Sequence, residues 1–262
     1  GTPPNLLAQD PTSLTRLLRD QQNLLNADCI CLRFDTAFLV DPSETQVDWS
    51  PSGPTILWDS VKERPWPPNA LSNNPIIVLL ETINRLKIEL RRQIPILAVI
   101  PGPVGLCSKD CLDQPDLLSE TVALIRSLAE EACKAGAEIV LLEETAKGVD
   151  IASIAEPIFN TINYYNAFSL LQADCVNAGN RSDALLIPPQ SKLREIPDNE
   201  TRMGTFIPPE CFESSKSLQR FESMLESRSH PIFLTVNDNI LVSHPIETNV
   251  TVFQTLHNLE KK

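Results

Sequence analysis

The stretch Ala132–Gly148, ACKAGAEIVLLEETAKG, constrains the fold more than any other part of the chain. A helical run with a polar face stops at Gly136, which can take the left-handed conformation that closes a helix. The chain re-enters as Ile139–Leu142, an apolar run too short for a helix and uninterrupted, as expected of a strand buried on both faces. Such a strand needs helical cover, so the stretch is one αβ step of a parallel α/β fold. Glu143 and Glu144 follow at the strand's carboxyl end, where these folds place their binding and catalytic groups.

The same step recurs along the chain. Asp10–Ala27 opens with an Asp-Pro-Thr-Ser capping cluster and spaces Leu14, Leu17, Leu18, Leu24 and Leu25 as an amphipathic helix. In Asp28–Val40, DCICLRFDTAFLV, alternation sets Cys29, Cys31, Arg33 and Asp35 on one face and Ile30, Leu32 and Phe34 on the other. If the apolar set faces the helices, Arg33 and Asp35 look inward. Arg33 then needs a carboxylate partner, Asp35 or another acid, because an unpaired buried charge is costly. Pro75–Gln93 and Ile94–Ile100 form another helix and strand, ending in the turn Pro101-Gly102-Pro103. A helix over Thr121–Ala135, with Val122, Leu124, Ile125, Leu128 and Ala132 on its apolar stripe, delivers the organising strand. Beyond it the spacing predicts a helix from Ile151 to about Ala173 and strands at Asp183–Ile187, Met203–Ile207 and Pro231–Val236. Helices are expected over Ser214–Glu226 and from about Pro245, the last entered by proline at its first turn. Asp41–Asn74, rich in Pro, Ser and Asn and without sustained periodicity, reads as a long excursion. Its tryptophans, Trp49, Trp58 and Trp66, either wall a binding loop or anchor the excursion to the body.

A chain of 262 residues suffices for one α/β barrel or two smaller domains. No repeat or linker divides it, so a single domain over residues 1–262 is expected. A formal charge of −12 argues against a phosphate-backbone ligand, which calls for a Lys/Arg surface. No apolar run approaches the roughly 18 residues of a membrane span, and GTPPNLLAQD lacks the regions of a signal peptide, which points to a cytoplasmic protein. Seven cysteines, an odd number without repeating spacing, fit reduced thiols better than a disulfide framework. Glycosylation triplets at Asn180, Asn199 and Asn249 are no more than chance supplies and matter only in a secreted chain. Phosphate loops, nucleophile elbows and His-Glu-x-x-His helices are absent from the sequence, leaving phosphoryl transfer, serine hydrolysis and metalloprotease chemistry without support.

Four stretches in order, DPTSLTRLLRDQQNLLNADCICLRFD, IPILAVIPGPVGL, AGAEIVLLEETAKG and FLTVNDNILVSHPIETNVTVFQTLH, resemble the uroporphyrinogen decarboxylase family. That family's relatives include the methylcobalamin:coenzyme M methyltransferases. The resemblance covers most of residues 10–170 and then 231–257. It implies a TIM-type (β/α)8-like barrel, incomplete by one or two βα units, since the family's Arg-rich first strand has no counterpart and about one unit is short between Ser169 and His230. An incomplete barrel exposes strand edges, so a covering helix or a second copy in a homodimer is expected. The family's catalytic aspartate falls on Asp35, and the acid closing its Ala-Gly-Ala strand falls on Glu144, which the resemblance selects over Glu143 as the carboxylate facing the mouth. Arg33, the turn residues Gly102 and Pro103, and Asp238, which stands where decarboxylases carry a histidine, are the implied substrate-binding positions.

The activity implied is that of a carboxy-lyase acting on a tetrapyrrole or corrinoid-linked substrate at the strand carboxyl ends. Asp35 would accept pyrrole N–H groups and stabilise the cation formed as a ring protonates. Decarboxylation calls for no cofactor. The corrinoid methyltransferase alternative needs zinc held by a His and Cys pair plus a further thiolate. None of His230, His244 and His257 has a cysteine within two positions, so no metal is expected. A non-catalytic binding descendant is the other alternative. Cys107 and Cys111 at i, i+4 spacing, and Cys29 and Cys31 at barrel-filling positions, read as structural thiols, and Asp35 and Glu144 have bland readings as a turn cap and a partner for Lys147.

Overall fold

The structure, a computed structural model, describes residues 9–40, 47–50, 53–56, 66–67, 69–106, 113–144, 149, 151–173, 182–187, 203–207, 210–226, 232–235 and 246–257. Helix α1 (Pro11–Leu25) starts where Asp10 accepts the N–H groups of Thr12 and Ser13 at 3.0 and 3.1 Å, and ends at Asn26 in the left-handed region (φ 50°). It leads into β1 (Ile30–Arg33), and a 3-10 turn over Thr36–Phe38 follows. Within the excursion, β2 (Val47–Ser50) and β3 (Gly53–Ile56) pair antiparallel, which the missing periodicity of that segment did not announce. Val47 and Trp66 pack on Ala37 and Val40, and the Trp66 Nε1–H donates to Thr121 Oγ1 at 3.0 Å, so this tryptophan anchors the returning chain to the body. Trp58 lies outside the described residues.

Asn73 stands before α2 (Asn74–Leu90) and gives its side-chain N–H groups to the carbonyls of Phe38 and Val40 at 2.9 and 3.1 Å, tying the start of this helix to the turn after β1. Then come β4 (Ile96–Pro101), the short α3 (Pro103–Leu106), α4 (Pro115–Ala135) and β5 (Ile139–Glu143). Helix α4 begins six residues before the Thr121 expected from periodicity, with Pro115 in its first turn. It closes as anticipated at Gly136 (φ 125°), whose N–H bonds to the carbonyls of Ala132 and Cys133.

The single helix expected from Ile151 to about Ala173 is corrected. The chain forms α5 (Ile151–Ile154) and α6 (Glu156–Tyr164), turns at Asn166 (φ 57°) and continues as a strand, β6 (Phe168–Gln172). Asn tolerates the left-handed conformation that ends the helix, and the apolar FSLLQ beyond it pairs with β5. Next in order are β7 (Ala184–Ile187), β8 (Met203–Phe206), α7 (Glu210–Glu213), α8 (Ser215–Glu226), β9 (Ile232–Thr235) and α9 (Ile246–His257). The stretch where the resemblance implied a missing unit therefore carries β7 and β8, with β6 just before them.

Seven strands, β1-β4-β5-β6-β7-β8-β9, pair parallel in chain order, and every crossover that is described runs through helix. This is an α/β fold built on a parallel sheet. Helix α9 packs against α1, which draws the two ends of the sheet toward each other, although no β9–β1 pairing occurs among the described residues. On one face of the sheet Ile30, Leu32, Ile96, Ala98, Ile100, Val140, Leu142 and Leu171 pack against helix residues such as Ile83, Leu86, Ile125, Leu128 and Ile158. On the other face Val99, Leu141, Leu170 and Ala184 form a separate apolar layer with Leu97, Ile139 and Phe168. A third cluster, including Phe212, Phe221, Val252 and Leu256, joins α7, α8 and α9. Asn249 of α9 is buried and so inaccessible as a glycosylation acceptor in the folded chain. No described helix is long and apolar enough to cross a membrane.

Candidate functional site

Alternation and register decide which side chains reach the inner face. Arg33, Val99, Leu141, Leu170 and Ala184 follow one another across the ladder, and one layer nearer the carboxyl ends stand Pro101, Glu143 and Gln172. The layer of Val99, Leu141 and Leu170 is apolar, while the layer above it turns polar. That polar layer is where a parallel sheet opens to its ligand.

Arg33 donates to Glu143 Oε2 in an ion pair that joins β1 to β5 across β4. The Gln172 amide donates to Glu143 Oε1 at 3.4 Å, extending the link to β6. Arg33 is 45% exposed and Glu143 24%, so the pair sits at the opening rather than in the core. The expectation that an inward Arg33 takes an acid is met by Glu143.

Asp35 lies two residues beyond Arg33 and is half-buried. Its Oδ1 accepts the Ala37 N–H at 2.9 Å, capping the turn over Thr36–Phe38. Burial pushes its carboxyl above the ordinary value, against the Ala37 N–H and the Arg33 guanidinium, which pull it down; the Glu143 charge adds to the rise. Asp35 thus lies in the field of both members of the ion pair. A carboxyl so placed can retain a proton that an exposed aspartate would have lost, or accept an N–H donor.

The expectation that Glu144 faces the mouth is corrected. Consecutive strand residues point to opposite faces, and Leu141 and Glu143 share the inner face, so Glu144 turns into the helix layer. There it is 3% exposed, and its Oε2 accepts the Val104 N–H at 3.0 Å. Gly102 fits against it, since an added Cβ would lie 2.5 Å from Glu144 Oε2 and 2.8 Å from Glu144 Cα. Pro103 is buried at the start of α3. The ladder runs on past the strand ends: the Gly102 N–H donates to the Glu143 carbonyl at 2.7 Å, and the Glu144 N–H to the Gln172 carbonyl at 2.9 Å.

Arg33 and Asp35 are thus brought together, with Glu143 and Gln172 added to them. Gly102, Pro103 and Glu144 gather in the layer behind. Asp238, Lys147, Cys107 and Cys111 lie outside the described residues. Glu143 is not singled out by the sequence, because an apolar strand followed by two acids does not reveal which of its faces is inner. Its face follows only from the register that ties β5 to β1 through β4, where Arg33 marks the inner face. Gln172 carries no such signal, because the run that holds it, residues 168–172, keeps helical spacing in the sequence.

Cys31, on the inner face, is exposed. Burial pushes the thiols of Cys29 and Cys133 up to about 11, which makes them poor nucleophiles. Among the described residues no group of three His, Cys, Asp or Glu side chains is placed to hold a metal ion.

No protein-family model matches the chain, and no curated protein matches it. Among solved structures the chain is similar to a methyltransferase from Methanosarcina mazei, with a TM-score of 0.64 and 14% identity, over 97% of this chain and 88% of that one. It is also similar to a dihydrodipicolinate synthase from Agrobacterium tumefaciens str. C58, with a TM-score of 0.49 and 11% identity, over 96% and 70% of the two chains. The fold is therefore shared with the methyltransferase along nearly the whole length.

Proposed function

We propose that this chain is an enzyme of the TIM-barrel kind, akin to the uroporphyrinogen decarboxylases, that acts on a tetrapyrrole or corrinoid-linked substrate at the carboxyl ends of its strands. One observation carries the reading: Arg33, Asp35, Glu143 and Gln172 come from three strand ends and meet on the inner face, above an apolar layer. A cation, two carboxylates and an amide on an apolar floor suit a flat ligand with N–H donors at its centre and acidic or amide groups at its edge.

In a decarboxylation, Asp35 and Glu143 accept hydrogen bonds from pyrrole N–H groups of the tetrapyrrole and stabilise the positive charge that develops when a ring carbon is protonated. The electron pair of the bond to the departing carboxyl group returns to the ring as carbon dioxide leaves. A proton then adds to the side-chain carbon and the proton taken up by the ring carbon is released, so that hydrogen replaces the carboxyl group and the ring is aromatic again. Arg33 orients the acidic edge of the substrate. Its pairing with Glu143 keeps both groups in place before the ligand arrives. Binding without turnover is the alternative, and corrinoid-dependent methyl transfer is a third reading on the same opening.

A titration of the purified protein with coproporphyrin, uroporphyrin and a cobalamin, followed by absorbance and Trp fluorescence, tests the reading. Saturable binding of one of these is expected. Asp35→Ala and Glu143→Ala should each weaken it by about tenfold or more, since each removes a hydrogen bond to a charged group. Folded protein that binds none of the three, or variants that bind as wild type does, would refute it. Binding without loss of carbon dioxide or methyl transfer would favour the non-catalytic descendant.

A further inference from the structure

The organising stretch ends in two glutamates on opposite faces, and the inner one has a place in the proposed chemistry. We propose that the outer one, Glu144, is a positioning residue: its buried carboxylate holds the Gly102–Val104 turn against the end of β5, and this fixes the direction in which Glu143 meets Arg33 and Gln172. This inference rests on the reading that the inner cluster is the working site.

Five contacts carry it. The Val104 N–H reaches Glu144 Oε2 at 3.0 Å, a bond made in a layer where Glu144 is 3% exposed and water cannot replace it. Gly102 presses on the same carboxylate so closely that a Cβ would stand 2.5 Å from Oε2. The Gly102 N–H takes the carbonyl of Glu143 at 2.7 Å, so the turn held by the Glu144 side chain is bonded directly to the backbone of the residue beside it. The Glu144 N–H takes the carbonyl of Gln172 at 2.9 Å, and the Gln172 side chain returns to Glu143 Oε1 at 3.4 Å. Glu144 is therefore bracketed between the β4 turn and the β6 end, and both brackets close on Glu143. A carboxylate in this place need not touch a ligand to affect one. A tilt of β5's last residue would carry the Glu143 carboxylate off Arg33, because Glu143 reaches the guanidinium across the whole width of β4.

Two substitutions separate position from charge. Glu144→Gln keeps the reach to the Val104 N–H and an acceptor oxygen, and removes the ionisable group. Glu144→Asp keeps the carboxyl group and withdraws it by about 1.5 Å, one carbon–carbon bond. The readout needs no ligand: the titration midpoint of the Asp35 carboxyl, followed by carbon-13 NMR, senses the Arg33 and Glu143 charges. In Glu144→Asp, Arg33 is released from Glu143 and acts on Asp35, so the midpoint should fall by about half a pH unit or more. Glu144→Gln should leave it in place. Gly102→Ala, which displaces the same carboxylate from the turn side, should lower it as Glu144→Asp does and serves should the Asp variant not fold. A midpoint unmoved by Glu144→Asp and Gly102→Ala would overturn the proposal, and so would one moved by Glu144→Gln, which would make the effect one of charge. If the midpoints behave as expected while wild-type protein binds no tetrapyrrole or corrinoid, the positioning role stands and the substrate reading fails.

Discussion

Replacing Gly102 by alanine tests the packing behind the site through stability alone. Gly102 has no positive φ, so the substitution introduces no backbone strain of its own and the outcome depends on space. The new Cβ would lie 2.5 Å from Glu144 Oε2, 2.8 Å from its Cδ and 2.8 Å from its Cα. A flexible side-chain end could swing away from the first of these contacts. It cannot relieve the third, which is backbone in a hydrogen-bonded ladder. Overpacking of this kind costs about 1–3 kcal/mol. Pushing Glu144 aside also strips the buried Val104 N–H of its acceptor, at about 1–3 kcal/mol. Together these give a loss of about 2–6 kcal/mol, a large part of the roughly 5–15 kcal/mol that holds a domain folded. Urea unfolding should show the midpoint falling without a change in slope, and the melting temperature should drop by roughly 5–20 °C. Gly105→Ala, three residues on and exposed in α3, serves as the control and should stay within about 1 kcal/mol of wild type. A Gly102→Ala protein as stable as that control would refute the close approach of the β4 turn to Glu144.

Gly136→Ala should cost about 1–3 kcal/mol in urea unfolding, because it forces a side chain to φ 125° and into the Lys87 stem, where a Cβ would collide with the Lys87 Cδ; a neutral effect would refute the cap geometry. Asp35→Asn should be more stable than wild type at pH 7. The folded-state value of Asp35 lies above its unfolded one, so the native protein holds the proton more tightly and loses stability as pH rises between the two; the gain of the variant should vanish below the ordinary value of 3.8. An Asn variant less stable at pH 7 would count against the buried charge. A double-mutant cycle on Arg33→Ala and Glu143→Ala should give a coupling below about 1 kcal/mol, since the pair stands partly in solvent; a coupling above about 2 kcal/mol would make it a structural rather than a site element.

What was legible in the chain was local. Helix ends declared themselves wherever one residue type performs a backbone task, as Asp10 does at the start of α1 and Gly136 at the end of α4. Alternation around Arg33 showed its face correctly, because a charge between apolar neighbours breaks the symmetry of a strand. Residues 168–172 defeated the same method: a short apolar run after a helix keeps helical spacing by accident, and only the left-handed turn at Asn166 and pairing with β5 make it a strand.

The amino-acid sequence by itself determined that this chain alternates helices with buried parallel strands and carries its polar residues at the strand carboxyl ends. Those properties follow from spacing and from the demand that buried backbone be paired and apolar faces be covered. Only the tertiary structure decided which acid stands in the mouth. Glu143 and Glu144 are chemically identical neighbours, and what distinguishes them is contact with residues remote in sequence: Arg33 lies 110 positions before Glu143, and Val104 lies 40 before Glu144. A one-residue shift in the pairing of β5 would exchange the two carboxylates, and with them the site and its support.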